Sequence, residues 1–294
     1  MSQRIAILGG TGMAGHVMVA YLEEQGFDVF YTARSASNSR SSKSINAEDI
    51  QTLMSWLDCV KPDVVVNCLG ILQKESEARP DKSILLNSFL PRYVEQKYRY
   101  TNIKFIHLST DCVFSGKRGK YLEVDTPDGE TIYDRTKALG EVVNNKDLTF
   151  RMSIIGPDCN ERGTGLFNWF MKQQGIVYGF SKAIWNGVTT IELSRAVVEA
   201  IRQDLSGLYH LVASEPVDKH NLLLLFKEIF EREDIEIKPE DSFVVDKTLV
   251  NTRIDFNFMV QTYPQQINNM KMWVDKHAER YKHYFSRVTS ERIM

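Results

Sequence analysis

Residues 6–35 read AILGGTGMAGHVMVAYLEEQGFDVFYTARS, two apolar runs separated by a glycine-rich turn. Gly9, Gly12 and Gly15 stand three apart, and Gly10, Gly12 and Gly15 form an overlapping G-x-G-x-x-G. Such a turn, leaving a strand-like run and opening a helical period, is what the first strand–helix–strand unit of a dinucleotide-binding sheet requires. Its glycines give a tight turn, a close backbone approach to a pyrophosphate and close helix–strand packing. The unpaired N–H groups at the helix start favour the phosphate charge. The spacing assigns Gly9, Thr11, Gly12, Met13 and Gly15 to a dinucleotide.

Sheets that prefer NAD usually carry an acid about 20 residues on, at the end of the second strand, for the ribose 2′-OH. Here that strand ends in YTARS, and Asp28 comes too early, at its start. Arg34 stands where a guanidinium pairs with a 2′-phosphate. The reading is NADP(H), a solvated surface arginine being the alternative.

The same alternation continues. Strands are expected at 4–9, 28–33, 62–70, 104–110, 147–156 and 207–213, and helices at 16–26, 47–60, 84–100, 190–203 and 219–233. A long terminal helix is expected over 265–288, and the serine-rich 34–43 reads as a loop. Strands alternating with helices predict an α/β fold, a Rossmann-like doubly wound parallel sheet with a smaller C-terminal substrate-binding lobe. The expected division is 1–155 for the NADP-binding domain and 156–294 for the lobe, with some segments of the lobe returning to the first domain. Asn67, Cys68 and Gly70 end the fourth strand, where such sheets bind ligands, and are assigned to the cofactor.

A net charge of −2 gives no electrostatic argument for nucleic acid or an anionic membrane. Four scattered cysteines show no metal or disulfide spacing, so no metal site is expected. There is no leader-like N-terminus and no membrane-spanning run, which makes the expected location cytoplasmic. A homodimer is left open.

Two stretches carry candidate chemistry, LSTDCVFSG (108–116) and YDRTK (133–137). Tyr133 and Lys137 are four apart, on one helix face. An ammonium beside a phenol favours phenolate and is expected to draw Tyr133 down from about 10. Thr110, at a strand end, is placed to hold a substrate carbonyl.

Together these segments resemble the extended short-chain dehydrogenase/reductase family, and within it the dTDP-4-dehydrorhamnose reductase group. The resemblance runs in order through GGTGMAG, PDVVVNCLG, Asn87 and Pro91 of LLNSFLP, LSTDCVFSG, YDRTK, FRMSIIG, WNGVTT and GLYHLV. The group's S-T-D-Y-V-F-x-G is matched by Ser109, Thr110, Asp111, Val113, Phe114 and Gly116. Its Y-G-x-S/T-K is matched by Tyr133, Thr136 and Lys137, and its R-x-S by Arg151 and Ser153. Cys112 replaces the expected Tyr, Asp134 replaces Gly, and Asn46 stands where an Asp near the adenine is common.

The resemblance implies an NADPH-dependent reductase of the C4 ketone of a nucleotide-linked 4-keto-6-deoxy sugar, serving surface polysaccharide biosynthesis. Thr110, Tyr133 and Lys137 would be catalytic, with Tyr133 as general acid and Lys137 on the nicotinamide ribose. Asn46 would join the cofactor site, and Asp111 and Cys112 the substrate site. Arg151 would face the substrate diphosphate or be an ordinary paired residue. Asn168 and Trp185 would contact the substrate or belong to the core. Alternatives are a UDP-2-acetamido-2,6-dideoxy-hexos-4-ulose reductase and a non-catalytic NADP-binding subunit, such as the regulatory subunit of methionine adenosyltransferase. An epimerase is a third option.

Overall fold

A computed structural model describes residues 2–34 and 40–285. Seven strands form one sheet: β1 (Arg4–Leu8), β2 (Asp28–Ala33), β3 (Ser42–Ser44), β4 (Val64–Asn67), β5 (Lys104–Leu108), β6 (Leu148–Arg151) and β7 (Gly207–His210). Their order is β7-β6-β5-β4-β1-β2-β3, every neighbour parallel. β4, reading VVVN, is buried along its whole length because helices cover both faces of the sheet.

Seven helices matter for the site: α1 (Met13–Glu24), α2 (Ile50–Val60), α3 (Leu90–Tyr98), α4 (Ile132–Gly140), α5 (Thr190–Arg202), α6 (Lys219–Ile229) and α7 (Tyr263–Lys276). On one face, Met18 and Leu22 of α1 meet Leu193 and Val197 of α5 over β1, β4, β5 and β6. On the other, Leu53 and Leu57 of α2 join Leu90 and Val94 of α3. The chain leaves β1 toward one edge of the sheet and leaves β4 toward the other. The loops after these adjacent strands therefore part, opening a crevice at their C-terminal ends.

The lobe is built from short pairings. Gly175–Phe180 pairs with Ile235–Glu240, and Ile154–Ile155 with Val188–Thr189. Ala183–Trp185 lies between Val217–Asp218 and Val245–Asp246. Its core of Phe167, Phe170, Phe226, Ile267 and Trp273 is continuous with Val17 and Ala20 of α1.

Three local expectations are corrected. Ser42–Ser44 of the serine-rich stretch forms the edge strand β3, an element with no apolar alternation to announce it, while 35–39 lie outside the described residues. The terminal helix stops at Lys276, followed by a 3₁₀ turn and a short helix to Phe285; 286–288 lie outside the described residues. The helix at 84–100 is two-part, a π-helical segment Ile84–Phe89 running into α3. Pro91 lacks an N–H for the Asn87 carbonyl four residues back, so the turn there widens. Against that carbonyl packs Gly140, where a Cβ would come within 1.9 Å of the oxygen.

Candidate active site

The turn after β1 is shaped by backbone contacts. Gly9 has φ +83°, a left-handed conformation, and a Cβ on Gly15 would meet the Gly9 carbonyl oxygen at 2.0 Å. α1 therefore starts tight against the end of β1. Gly12 caps α1 with no side-chain hydrogen bond, and the first turn holds no acid. Its N–H groups thus stay free for an anion. Thr11 and Gly12 are exposed and Met13 half-buried at this rim. Arg34 is exposed at the end of β2, and Asn46 is exposed beyond β3, its Oδ1 accepting from Glu48 N at 3.1 Å. These residues fit the pyrophosphate and 2′-phosphate of NADP(H).

Across the crevice, β5 delivers Ser109, Thr110 and Asp111. Thr110 Oγ1 accepts from Cys112 N at 3.1 Å and donates to Asp111 Oδ1 at 3.1 Å. α4 begins with a reciprocal cap between Thr131 and Asp134 and presents Tyr133 in its first turn. Asp134, standing where the related pattern has Gly, is thus half of that cap. Burial pushes the Tyr133 phenol well above its usual range, and Cys112 adds to the rise while the Thr110 hydroxyl opposes it. The expected lowering by Lys137 is not among these influences. The lysine's ammonium donates to Leu108 O at 2.6 Å, with His107 Nε2 at 3.5 Å. Burial brings Lys137 down to about 8, against the pull of Glu141 and Cys68. Burial thus favours the protonated form of the Tyr133 phenol, the form a proton donor needs.

Asp111 is buried, which raises its carboxyl; Lys247, Thr110 and Lys219 pull the other way. Cys112 is half-buried with Sγ 3.8 Å from Gln73 Nε2, and burial pushes its thiol up to about 12. Cys68, its thiol likewise pushed up to about 12 by burial, follows β4 half-buried beside Lys137, and Gly70 is exposed.

Four assigned side chains are engaged elsewhere. Asn67 is fully buried; its Oδ1 accepts from Leu69 N at 3.1 Å and its amide nitrogen meets His107 Nδ1 at 3.1 Å, so its side chain serves the protein rather than a cofactor. Arg151 is 2% exposed and bonded to Glu141 at 2.8 and 2.6 Å, the paired alternative and not a diphosphate contact. Asn168 donates to the carbonyls of Asn160, Glu161 and Gly163, tying the loop after Ile155; its buried Oδ1 has no partner among the described residues. Trp185 is 5% exposed, stacked on Tyr263 at 5.4 Å, and belongs to the lobe core.

The sequence reading missed Lys219 and Lys247. Each follows an outer strand of the three-stranded lobe sheet whose middle strand ends at Trp185. Lys219 Nζ sits 4.4 Å from the Trp185 ring centroid, and burial lowers it to about 8. Neither ammonium has a hydrogen bond or ion pair among the described residues. The signal was weak, since single lysines beyond two-residue strands look like solvated charge. Asn87, inside the π-helical segment Ile84–Phe89, was given no role by the sequence either. It exchanges bonds with both backbone groups of Ile71 and donates to Thr136 Oγ1, locking the loop after β4 to α4.

The switch-point crevice, the uncapped glycine turn and the Thr–Tyr–Lys cluster define a Rossmann-like α/β protein with the short-chain dehydrogenase/reductase fold. Residues 3–247 match the model of the RmlD substrate binding domain, and the chain belongs to that family. It is similar to the spore coat polysaccharide biosynthesis protein SpsK of Bacillus subtilis, 28% identical over 71% of this chain and 72% of the relative. The dTDP-4-keto-6-deoxy-D-glucose reductase of Streptomyces niveus is 29% identical over 71% of this chain and 73% of the relative. Among solved structures, the dTDP-4-dehydrorhamnose reductase of Bacillus anthracis in complex with NADP superposes with a TM-score of 0.79 at 17% identity, covering 92% of this chain and 99% of that one. Among the described residues no helix is long and apolar enough to cross a membrane.

Proposed function

We propose that this chain is an NADPH-dependent reductase of the C4 ketone of a nucleotide-linked 4-keto-6-deoxy sugar. The observation that carries the reading is the grouping of Tyr133, in the first turn of α4, with the Thr110 hydroxyl at the C-terminal end of β5, across the crevice from an uncapped glycine turn. The names of the relatives support the substrate class.

NADPH, when bound, supplies hydride to the carbonyl carbon. Gly9, Gly12 and Gly15 let its pyrophosphate approach the start of α1, and Arg34 pairs with the 2′-phosphate. On substrate binding the Thr110 hydroxyl would turn its one proton from Asp111 Oδ1 to the carbonyl oxygen, so charge growing there meets a nearby donor. Tyr133 gives its proton to that oxygen as general acid, a role typically worth about 10²–10⁴ in rate. Lys219 and Lys247 bring two unpaired ammonium groups to the Asp111 side of the cleft, which suits the substrate diphosphate. In a pyranose, C1 lies across the ring from C4. Phosphates on C1 would therefore fall toward the lobe when the ketone faces Tyr133.

The division at residue 155, the cytoplasmic location and a role in surface polysaccharide biosynthesis belong to the same proposal. Ile84, Phe89, Tyr93 and Leu139, exposed on the segment 84–98 and on α4, support a homodimer. The test is a panel of dTDP- and UDP-4-keto-6-deoxyhexoses, with and without a 2-acetamido group, followed by NADPH consumption. Stoichiometric oxidation with at least one member is expected. NADPH binding with no oxidation across the panel would instead favour a binding subunit, and conversion without net oxidation an epimerase.

A further inference from the structure

His107, on β5, is fully buried, stacked on Phe105 with ring centroids 6.1 Å apart. Nothing in the reaction described above uses it, yet it lies directly behind Lys137. Its tautomer follows from its neighbours. Asn67 Oδ1 accepts from Leu69 N, which turns the Asn67 amide nitrogen, a donor, onto His107 Nδ1 at 3.1 Å. Nδ1 must then accept, and a neutral imidazole keeps its single proton on Nε2. Burial, Lys137 and Arg92 all hold the ring well below the usual imidazole range, so it is neutral at pH 7. The Nε2–H therefore faces Lys137 Nζ at 3.5 Å.

Toward an ammonium, that N–H sets donor against donor. Toward a neutral amine it is a hydrogen bond to the nitrogen lone pair. The other neighbours of Lys137 do not share this preference. Glu141 and Cys68 favour its charged form, and Leu108 O accepts a hydrogen bond from either form.

We propose that His107 is a positioning residue that stabilises the neutral amine of Lys137 and so makes its ammonium a ready proton donor to Tyr133 after each turnover. The proposal rests on the reductase reading, in which Tyr133 has given up its proton. An Nζ–H bond of Lys137 breaks and the Tyr133 O–H bond re-forms, directly or through an intervening hydroxyl, with no change of oxidation state. The amine left behind accepts from His107 Nε2–H until solvent returns the proton. Asn67 acts one step further back, by fixing the tautomer.

The first readout is the ¹⁵N chemical shifts of the His107 ring in the protein without substrate, so it does not depend on which sugar is reduced. A protonated Nε2 and an unprotonated Nδ1 are expected; the opposite tautomer overturns the proposal. The second is the pH profile of kcat in Asn67→Leu and His107→Leu. Asn67→Leu frees the ring to accept from the ammonium through Nε2, and His107→Leu removes the donor. In both, the alkaline limb moves to higher pH, and in Asn67→Leu the ring proton moves to Nδ1. Folded variants whose limb stays at the wild-type position would overturn the proposal, because a merely structural histidine changes the amount of active protein but not the pH at which activity falls.

Discussion

Arg151 and Glu141 form a two-pronged ion pair inside the protein, Nε to Oε1 at 2.8 Å and Nη2 to Oε2 at 2.6 Å, both residues almost fully buried. Ser109 Oγ also donates to Glu141 Oε1 at 2.7 Å, and His210 Nε2 lies 3.0 Å from Arg151 Nη1. The pair thus joins the end of β5, the end of α4, β6 and β7, next to the segments that carry Thr110 and Tyr133. Removing one partner strands a buried charge, so Arg151→Leu should cost about 3–5 kcal/mol. The double variant Arg151→Leu/Glu141→Leu should recover much of this. Urea denaturation of the three proteins measures it. A rise in KM with unchanged stability would return Arg151 to the substrate.

Tyr133→Phe keeps the ring and removes the proton. Turnover should fall by about 10²–10⁴ while NADPH affinity stays at the wild-type value. Stopped-assay kinetics and a fluorescence titration of NADPH separate the two quantities, and near-normal turnover would remove Tyr133 from its role.

Arg34 is exposed at the end of β2, and the proposed function gives it the 2′-phosphate of NADPH. A charge-assisted bond to the 2′-phosphate is worth about 1.5–3 kcal/mol, so Arg34→Ala should weaken NADPH binding by roughly 10- to 100-fold. NADH binding should not change. Parallel losses for both cofactors would mean that Arg34 does not read the 2′-phosphate.

Lys137 and Lys219 are each lowered by burial from 10.5 to about 8. Between those values the unfolded chain holds protons that the folded chain has shed, so the stability set by these groups rises with pH across that window. At pH 7 both are charged at a cost. Lys219→Met should therefore raise the melting temperature at pH 7 by about 2 °C, the scale of 1 kcal/mol in a chain this size, while KM for the sugar nucleotide rises. Thermal melts at pH 7 and above pH 8 check the sign, and a lower melting temperature at pH 7 would contradict it.

The parallel sheet was legible because β4 and its neighbours β1 and β5 are mostly apolar and alternate with helical periods, and because Gly9 and Gly15 announce the first crossover. β3 was not, since Ser42–Ser44 is polar and its pairing depends only on the neighbouring β2. Thr110 and Tyr133 could be placed in one site from their motifs. The direction of the Lys137 ammonium could not, because Leu108 O is a backbone partner on another element. Asn67 was placed at the cofactor from its position at a strand end, while a ligand contact and a structural role both stayed open for Arg151, Asn168 and Trp185. Their actual partners lie up to 78 positions away in the chain, for Trp185 and Tyr263, and no local pattern shows them. Lys219 and Lys247 were invisible for the same reason, brought together only by the pairing of short lobe strands.

The most direct measurement is NADPH absorbance on mixing the protein with the 4-keto-6-deoxy sugar nucleotide panel, wild type beside Tyr133→Phe. The account predicts loss of one NADPH per sugar reduced by the wild type, and tight NADPH binding with almost no loss in the variant. Equal rates in the two proteins, or no loss in either with every sugar, would contradict it.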